Sequence, residues 1–202
     1  RTCNLKAEIT ARIQATSNAY YRLKQRVFAN HDLSVSTKLN VYKCCLLPIL
    51  LYGSETWTLY AHEVKQLRTV QQRHLRWIMK IQWKDFVSNE AILTQANVED
   101  IEILLAKNRL RWLGHACRME DSRTVKFLLY GELAYGSRPI GRPKLRFKDN
   151  CKRMLKAGNF LHTWSDIVKN RTNWRSTIQS VCDEMNISRQ LRYESARERR
   201  RR

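Results

Sequence analysis

Apolar residues recur every three or four positions along most of the chain, which is the spacing that one buried face of an α-helix requires. The first stripe predicts a helix over roughly 5–28 and contains Leu5, Ile9, Ile13, Tyr20, Leu23 and Val27. A second helix is expected from a cap at Ser36 to Pro48, because proline interrupts helical hydrogen bonding. Two further stripes, over 64–79 and 98–112, predict two more helices.

The second half of the chain returns to this pattern after an interruption. Residues 120–144 hold three of the six glycines and two of the three prolines, which predicts a linker. We then expect a short helix over 144–156 and a last helix that opens with Thr163 and Asp166 in the spacing of a capping box. The prediction is an all-α chain of about six amphipathic helices in two small lobes.

The C-terminal residues 189–202 differ from the rest in composition. They carry seven arginines against two glutamates and few apolar residues, which predicts a basic disordered arm. Three roles for this arm stay open: contact with nucleic acid, a nuclear-import signal, and read-through of degraded coding sequence.

Basic residues exceed acidic residues so strongly that the charge itself indicates a partner. The chain has 38 Lys and Arg against 18 Asp and Glu, which gives a formal net charge of +20. Such an excess destabilises a compact monomer by self-repulsion unless a polyanion offsets it. Nucleic acid is the commonest such partner, and an anionic membrane surface is the other candidate.

The ends of the chain and its cysteines indicate an intracellular protein. The longest apolar run, at 44–52, is too short to span a bilayer, so no membrane segment is expected. The N-terminus has neither an initiator Met nor an apolar signal region, so we expect a piece of a longer protein. The six cysteines show no regular spacing and are expected to be reduced thiols.

Two segments place an aromatic ring among basic residues: NRLRWLGHACRM at 108–119 and GRPKLRFKD at 141–149. Arginine pairs with phosphate oxygens and aromatic rings stack on bases, so both segments favour nucleic-acid contact. The candidate phosphate contacts are Arg109, Arg111, Arg142, Lys144, Arg146 and Lys148, and the candidate stacking residues are Trp112 and Phe147. Alternatives stay open, because Trp112 also continues the apolar stripe of its helix, and the cations also fit a solvated face or linker.

The spacing of titratable residues does not predict a catalytic or metal site. No nucleophile or carboxylate is placed beside His115. The cysteines form no C-x2–4-C pair, which disfavours zinc, and the glycines lack the spacing of a phosphate-binding loop. We therefore expect no cofactor and no metal in this chain.

The segment VYKCCLLPILLYGSETWTLY, at 41–60, resembles a signature that follows the palm of non-LTR (LINE-type) retrotransposon reverse transcriptases. In that family a helix ending in proline precedes an LLYG-x-E-x-W turn. Four further segments resemble motifs of the same family, in the same order: QQRHLRWIMKIQWKD at 71–85, LRWLGHACRMED at 110–121, GRPKLRFKDNCKRMLK at 141–156 and NWRSTI at 173–178. One departure is Asn170, which stands before Arg171 where the family usually has an aspartate.

The resemblance implies a division of the chain and a class of ligand. Residues 1–119 are expected to form a thumb-like helical region, 145–188 a C-terminal helical subdomain, and 120–144 the linker between them. The implied partners are RNA or RNA–DNA hybrid, bound non-specifically, and the missing palm and fingers of the parent enzyme. A nuclear location is implied if the parent element is active.

The parent enzyme would be an RNA-directed DNA polymerase, whose palm holds Mg²⁺ on aspartates that include an adjacent pair. This chain has seven aspartates, none adjacent to another, so we expect no catalysis of its own. Two alternatives belong to other classes: a non-functional relic of a decayed transposable element, and a domesticated helical interaction module.

Overall fold

The structure, a computed structural model, describes residues 5–131, 141 and 145–201. Every regular element in these ranges is helical and none is a β-strand, which confirms the all-α prediction. No helix within them is long and apolar enough to cross a membrane. The α-helices are α1 (Leu5–Leu23), α2 (Val35–Val41), α3 (Leu47–Leu50), α4 (Ala61–Ile78), α5 (Asn89–Ala96), α6 (Ile101–Cys117), α7 (Thr124–Tyr130), α8 (Phe147–Ala157), α9 (Trp164–Ile167) and α10 (Arg171–Arg201).

The chain from Val35 to Leu50 is helical throughout, which corrects the expected end at Pro48. Ser34, rather than Ser36, caps this segment, because its hydroxyl accepts the N–H of Thr37 at 3.1 Å. Pro48 lies in the first turn of α3, where a missing N–H is tolerated. The preceding residues, Tyr42–Leu46, form a π turn that shifts the hydrogen-bonding register by one residue.

The described chain divides into two compact units. Unit 1 holds the residues up to Ser54 and Leu59–Leu104, and unit 2 holds Glu55–Thr58 and the residues from Leu105 onward. The division falls inside α6, whereas the glycines and prolines predicted a linker at 120–144. That segment contains α7, and the apolar face of α6 continues past the division, with Leu110 and Leu113 fully buried.

Stacked aromatic rings form the centre of unit 1. Tyr20 of α1 stacks on Phe28 with 4.8 Å between ring centroids, and on His74 of α4 with 5.2 Å. Helices α2, α4 and α5 and the π turn that follows α2 pack buried aliphatic side chains around these rings. Burial of each one stabilises the fold by about 1.5–3 kcal/mol. These side chains are Leu39, Leu46, Leu75, Ile78, Ile92 and Leu93.

Polar contacts hold α4 against the start of α6 in unit 1. Arg68 donates to both carboxylate oxygens of Asp100 at 3.0 Å and to Glu102 at 2.8 Å. The side chain of Gln71 accepts the N–H of Ile101 at 3.0 Å. Side chains of α4 therefore bind one backbone N–H and two carboxylates at the start of α6, which fixes the position of this helix end.

Helices α6, α8 and α10 supply the core of unit 2. Helix α8 packs on α10 through buried apolar residues, and Gly158 at its end permits this approach, because a Cβ there would lie 2.6 Å from Val181. The buried residues of these two helices include Cys151, Met154, Leu155, Ile178, Val181 and Cys182.

Helix α10 corrects two predictions. It begins at Arg171 rather than near Thr163, because the carboxamide oxygen of Asn170 accepts the N–H groups of Thr172 at 2.9 Å and Asn173 at 3.2 Å. Asparagine caps a helix as well as aspartate does, so the departure from the resembled motif preserves this helix start. The helix continues to Arg201, so the arm predicted to be disordered over 189–202 is helical through that residue.

Candidate nucleic-acid interface

A basic groove lies between the C-terminal half of α6 and the N-terminal half of α10, within unit 2. Its volume is about 790 Å³. The described residues that line it include five permanent cations and a histidine, and none is acidic. They are Lys107, Arg111, His115, Arg118, Arg171, Trp174, Arg175, Ile178 and Gln179.

Helical periodicity places the cations of the groove in two rows. On α6, Lys107 and Arg111 are four residues apart, with a rise of about 6 Å between them, and Arg118 follows seven residues after Arg111, so all three lie on one face. On α10, Arg171 and Arg175 have the same spacing. Arg111, Arg171 and Arg175 are exposed, so their guanidinium groups are accessible to an anionic ligand.

Trp174 forms the floor of the groove and joins the two helices. It is 2% exposed, and its Nε1 donates to the carbonyl of Leu110 at 3.0 Å. Gly114 permits this contact, because a Cβ at that position would lie 2.1 Å from Nε1 of Trp174. Gly114 of LRWLGHACRM and Trp174 of NWRSTI are therefore packed against each other, which gives a physical reason for the glycine in one segment and the tryptophan in the other.

Arg118 closes one end of the groove and is held in place by the backbone. Its Nη1 donates to the carbonyl of Val168 at 2.8 Å. Burial lowers the pKa of its guanidinium, and the charges of Arg171 and Arg175 lower it further. Arginine stays protonated despite such a shift, so the groove keeps mutually repelling cations that a bound anion would stabilise.

Arg109 is almost completely buried, so its prediction as a phosphate ligand is wrong. The side chain is 4% exposed, and its Nη2 donates to the carbonyl of Trp57 at 2.9 Å. Burial lowers the pKa of this guanidinium. Arg109 instead holds the Glu55–Thr58 segment to α6 within unit 2, because it donates a buried hydrogen bond to the backbone of that segment.

Four predicted residues line a second pocket in unit 2, with a volume of about 550 Å³: Trp112, Arg146, Phe147 and Lys148. Arg146 forms two hydrogen bonds to the carboxylate of Asp149, at 2.9 and 3.2 Å. The Nζ of Lys148 lies 5.3 Å from the ring centroid of Tyr130. Trp112 and Phe147 are half-buried. This pocket brings the two predicted stacking residues together, and its two predicted phosphate ligands, Arg146 and Lys148, have partners inside the protein.

Arg142 and Lys144 lie outside the described residues, so the predicted turn at 141–148 is only partly described. Gly141 has a φ of 111°, a backbone conformation that favours glycine. Helix α8 begins at Phe147 with Asp149 in its first turn. That carboxylate complements the positive end of the helix, which weakens the case for a phosphate there.

Arg111 was predicted from the sequence as a phosphate ligand, but its neighbours in the groove were not. Lys107 and Arg118 share the face of Arg111, and Arg171 and Arg175 follow the same four-residue spacing on the last helix. This periodicity was visible in the sequence. The pairing of the two rows was not, because it depends on the packing of Trp174 against Gly114.

Titratable residues outside the groove do not assemble a metal site in the described ranges, where no group of three or more His, Cys, Asp or Glu could hold an ion. His115 is exposed on the groove wall, with its ring centroid 5.5 Å from that of Trp112. Cys117 accepts a hydrogen bond from the hydroxyl of Tyr130 at 3.3 Å, and burial raises its pKa. No disulfide joins the cysteines in the described residues, which are Cys44, Cys45, Cys117, Cys151 and Cys182.

Comparison with known proteins gives one informative similarity. The chain is 27% identical over 184 residues to an uncharacterized transposon-derived protein of Caenorhabditis elegans. The match covers 87% of this chain and 65% of that protein, so the chain spans less than two thirds of the length of its relative. No protein-family model matches the chain, and no solved structure matches it. The similarity supports an origin of this chain in a transposable element.

Proposed function

We propose that this chain is the post-palm part of a LINE-type reverse transcriptase, and that it binds the phosphate backbone of RNA or RNA–DNA hybrid in the groove between α6 and α10. The observation that carries the proposal is the pair of cationic rows, on Lys107, Arg111 and Arg118 and on Arg171 and Arg175, without an acidic residue among the described lining. The transposon-derived relative supports the origin.

The mechanism is electrostatic and independent of base sequence. Arginine and lysine side chains replace the counterions that surround a nucleic-acid backbone, and the release of these counterions drives binding. The positive end of α10 adds to the attraction at Arg171. The proposal assigns no chemical step to this chain: in the parent enzyme, a palm with Mg²⁺ would perform the polymerase reaction, and the groove would hold template and primer.

Charge removal in the groove tests this proposal. We expect Arg111→Gln combined with Arg175→Gln to weaken binding to a labelled RNA–DNA hybrid, measured by fluorescence anisotropy over a range of salt concentrations. Each lost phosphate contact lowers the steepness of the plot of log affinity against log salt by about 0.7–0.9, so the double variant should lose about 1.5. The thermal midpoint should change little, because both side chains are exposed.

A matched control separates the groove from total charge. Arg22→Gln combined with Arg26→Gln removes the same charge from exposed positions at the end of α1 and in the turn that follows it. We expect this control to bind nearly as the unmodified protein does. Equal loss in both double variants would show that affinity follows net charge alone, and would overturn the assignment of the groove.

A further inference from the structure

The turn between α4 and α5, in unit 1, exposes two aromatic rings that the basic groove does not use. Trp83 is 84% exposed and Phe86 is 87% exposed, and all residues from Gln82 to Phe86 are exposed. Single exposed apolar side chains are ordinary on protein surfaces. Two large exposed rings in one short turn are unusual, because burial of these rings does not contribute to the stability of the fold.

Hydrogen bonds make this turn rigid. The N–H of Gln82 donates to the carboxylate of Asp85 at 2.7 Å, and the N–H of Phe86 donates to the carbonyl of Trp83 at 3.3 Å. Arg76 of α4 donates to the carbonyl of Val87 at 2.9 Å, which ties the end of the turn to the helix. These bonds fix the backbone that carries the two rings, so binding does not have to order that backbone.

The backbone of Phe86 is strained. Its φ is 51°, in the left-handed region that bulky residues avoid. Lys80, Asn97 and Asn159 also have positive φ, but each closes an α-helix, where this conformation lets the next N–H reach a carbonyl of the last turn. Phe86 follows a short 3-10 turn instead. Strain of this kind concentrates at functional sites, because folding alone does not select it.

We propose that Trp83 and Phe86 form a stacking platform for the unpaired bases of single-stranded nucleic acid. The ring centroids are 6.5 Å apart and the ring planes meet at 77°, so each ring keeps a flat face for a separate base. Charge favours nucleic acid over an apolar protein surface, because Lys80 and Lys84 flank the rings and are exposed. The carboxylate of Asp85 is engaged by the N–H of Gln82.

This platform adds a selectivity that the groove lacks. Phosphate contacts do not distinguish paired from unpaired strands by their bases, whereas an aromatic face stacks on a base only when the base is accessible. The inference takes its ligand class from the proposed function but rests on different residues in the other unit. The two can therefore succeed or fail separately.

The test measures the affinity of the full chain for three labelled ligands of equal length. They are a single-stranded RNA, the same strand without bases, and a duplex. We expect Trp83→Ala combined with Phe86→Ala to weaken binding of the normal single strand by about five- to one-hundredfold, the range that loss of a stacked aromatic gives. Binding of the abasic strand and of the duplex should not change. Trp83→Phe, which keeps a ring, should retain most of the affinity.

Controls define the outcomes. Phe127→Ala removes another ring that is 71% exposed, and it should leave all three affinities unchanged. The platform is overturned if the double variant binds the normal single strand as tightly as the unmodified protein does. It is overturned as well if the affinity for the abasic strand falls as much as the affinity for the normal strand. It is also overturned if the variant changes only self-association, measured by sedimentation, because the rings would then contact a second copy of the chain. If the double variant behaves normally while the groove variant loses affinity, the platform fails and the groove stands.

Discussion

At the scale of single residues, the absence of a side chain at Gly114 determines whether the groove can form. The indole of Trp174 occupies the space that a Cβ would take, with Nε1 at 2.1 Å and Cδ1 at 2.4 Å from it. The same indole donates its hydrogen bond to Leu110, one turn before the glycine. A methyl group at position 114 would therefore clash with the packed indole of Trp174 and displace its buried hydrogen bond to Leu110.

We expect Gly114→Ala to destabilise unit 2 by about 1–3 kcal/mol, the usual cost of overpacking a core, in spite of the better helix propensity of alanine. Urea unfolding monitored by tryptophan fluorescence measures this change. In a Trp174→Leu background the alanine should cost less, because the conflicting ring is gone. Equal costs in both backgrounds would show that the Gly114–Trp174 contact is not the cause.

His74 gives a prediction about pH. Its Nδ1 is buried without a hydrogen-bond partner in the described structure, and its ring stacks on Tyr20. Burial, aided by the charge of Arg73, lowers the pKa of His74 to about 4. The unfolded chain, with an ordinary histidine pKa of about 6.5, binds the proton more readily than the folded chain between pH 4 and 6.5. Stability must therefore fall as pH falls through this window.

We expect the free energy of unfolding to decrease by about 1–3 kcal/mol between pH 6.5 and pH 4.5 because of His74. His74→Phe keeps an aromatic ring for the stack and removes the titration. The pH dependence of its unfolding free energy should be shallower than that of the unmodified protein in this window. Identical slopes would assign the acid sensitivity to other groups.

The sequence identifies which residues are basic, but it does not by itself show which of them are buried and which are exposed. Arg109 and Arg111 were assigned one role, although two helical steps place them on different faces. Arg109 is four residues from the buried Leu105 and four from the buried Leu113, so the apolar stripe already indicated its burial. Its partner, the carbonyl of Trp57, was not predictable, because it is brought there by the tertiary fold.

At the scale of elements, α10 shows where composition misleads. Residues beyond Cys182 are largely exposed, as their polar sequence indicates, yet they remain helical through Arg201. Arginine, glutamate and alanine are good helix formers, and a helix that is already started extends at little cost. Side chains also bond to the backbone one turn earlier, as Arg192 does to Ser188 and Arg199 to Ser195, both at 3.2 Å.

Deletion of residues 189–202 tests whether this extension contributes to the core. We expect the thermal midpoint to change by less than about 2 °C, because the buried residues of α10 end at Cys182. The helical circular-dichroism signal should fall by the amount that about a dozen helical residues contribute. A lower midpoint by several degrees would show that the exposed half of α10 packs on the rest of unit 2.

For the other helices, the sequence predicted that a helix exists more reliably than where it begins and ends. The periodic stripes located α1, α4, α6 and α8 to within a few residues. The helix through Pro48 was not foreseen, because a π turn, which leaves no mark in apolar spacing, accommodates the proline. Helix α7 was hidden in a segment whose glycines and prolines indicated a linker.

At the scale of the whole molecule, the two units do not follow the order of the sequence. Unit 2 takes Glu55–Thr58 from the middle of the first half, and the boundary crosses α6 between Leu104 and Leu105. Apolar spacing cannot reveal this division, because one continuous helix supplies a buried face to each unit. The concentration of glycine and proline predicted a break at 120–144 instead.

Two fragments distinguish these divisions. Fragment 1–104 ends at the boundary of unit 1, whereas fragment 1–119 ends at the boundary that the sequence suggested. The longer fragment retains the second half of α6 but lacks α8 and α10, so the buried side chains of Leu110, Leu113 and Ala116 lose their cover. Exposed apolar surface of this kind promotes association.

We expect the shorter fragment to be the better behaved of the two. Fragment 1–104 should be monomeric in sedimentation and unfold in one cooperative transition, because the Tyr20–His74 core and the Arg68–Asp100 ion pair are complete within it. Fragment 1–119 should self-associate and bind an apolar dye, and addition of a 145–202 peptide should reduce both effects. If fragment 1–119 is instead monomeric, cooperative and free of dye, the boundary at 120–144 is correct and the second half of α6 belongs to unit 1.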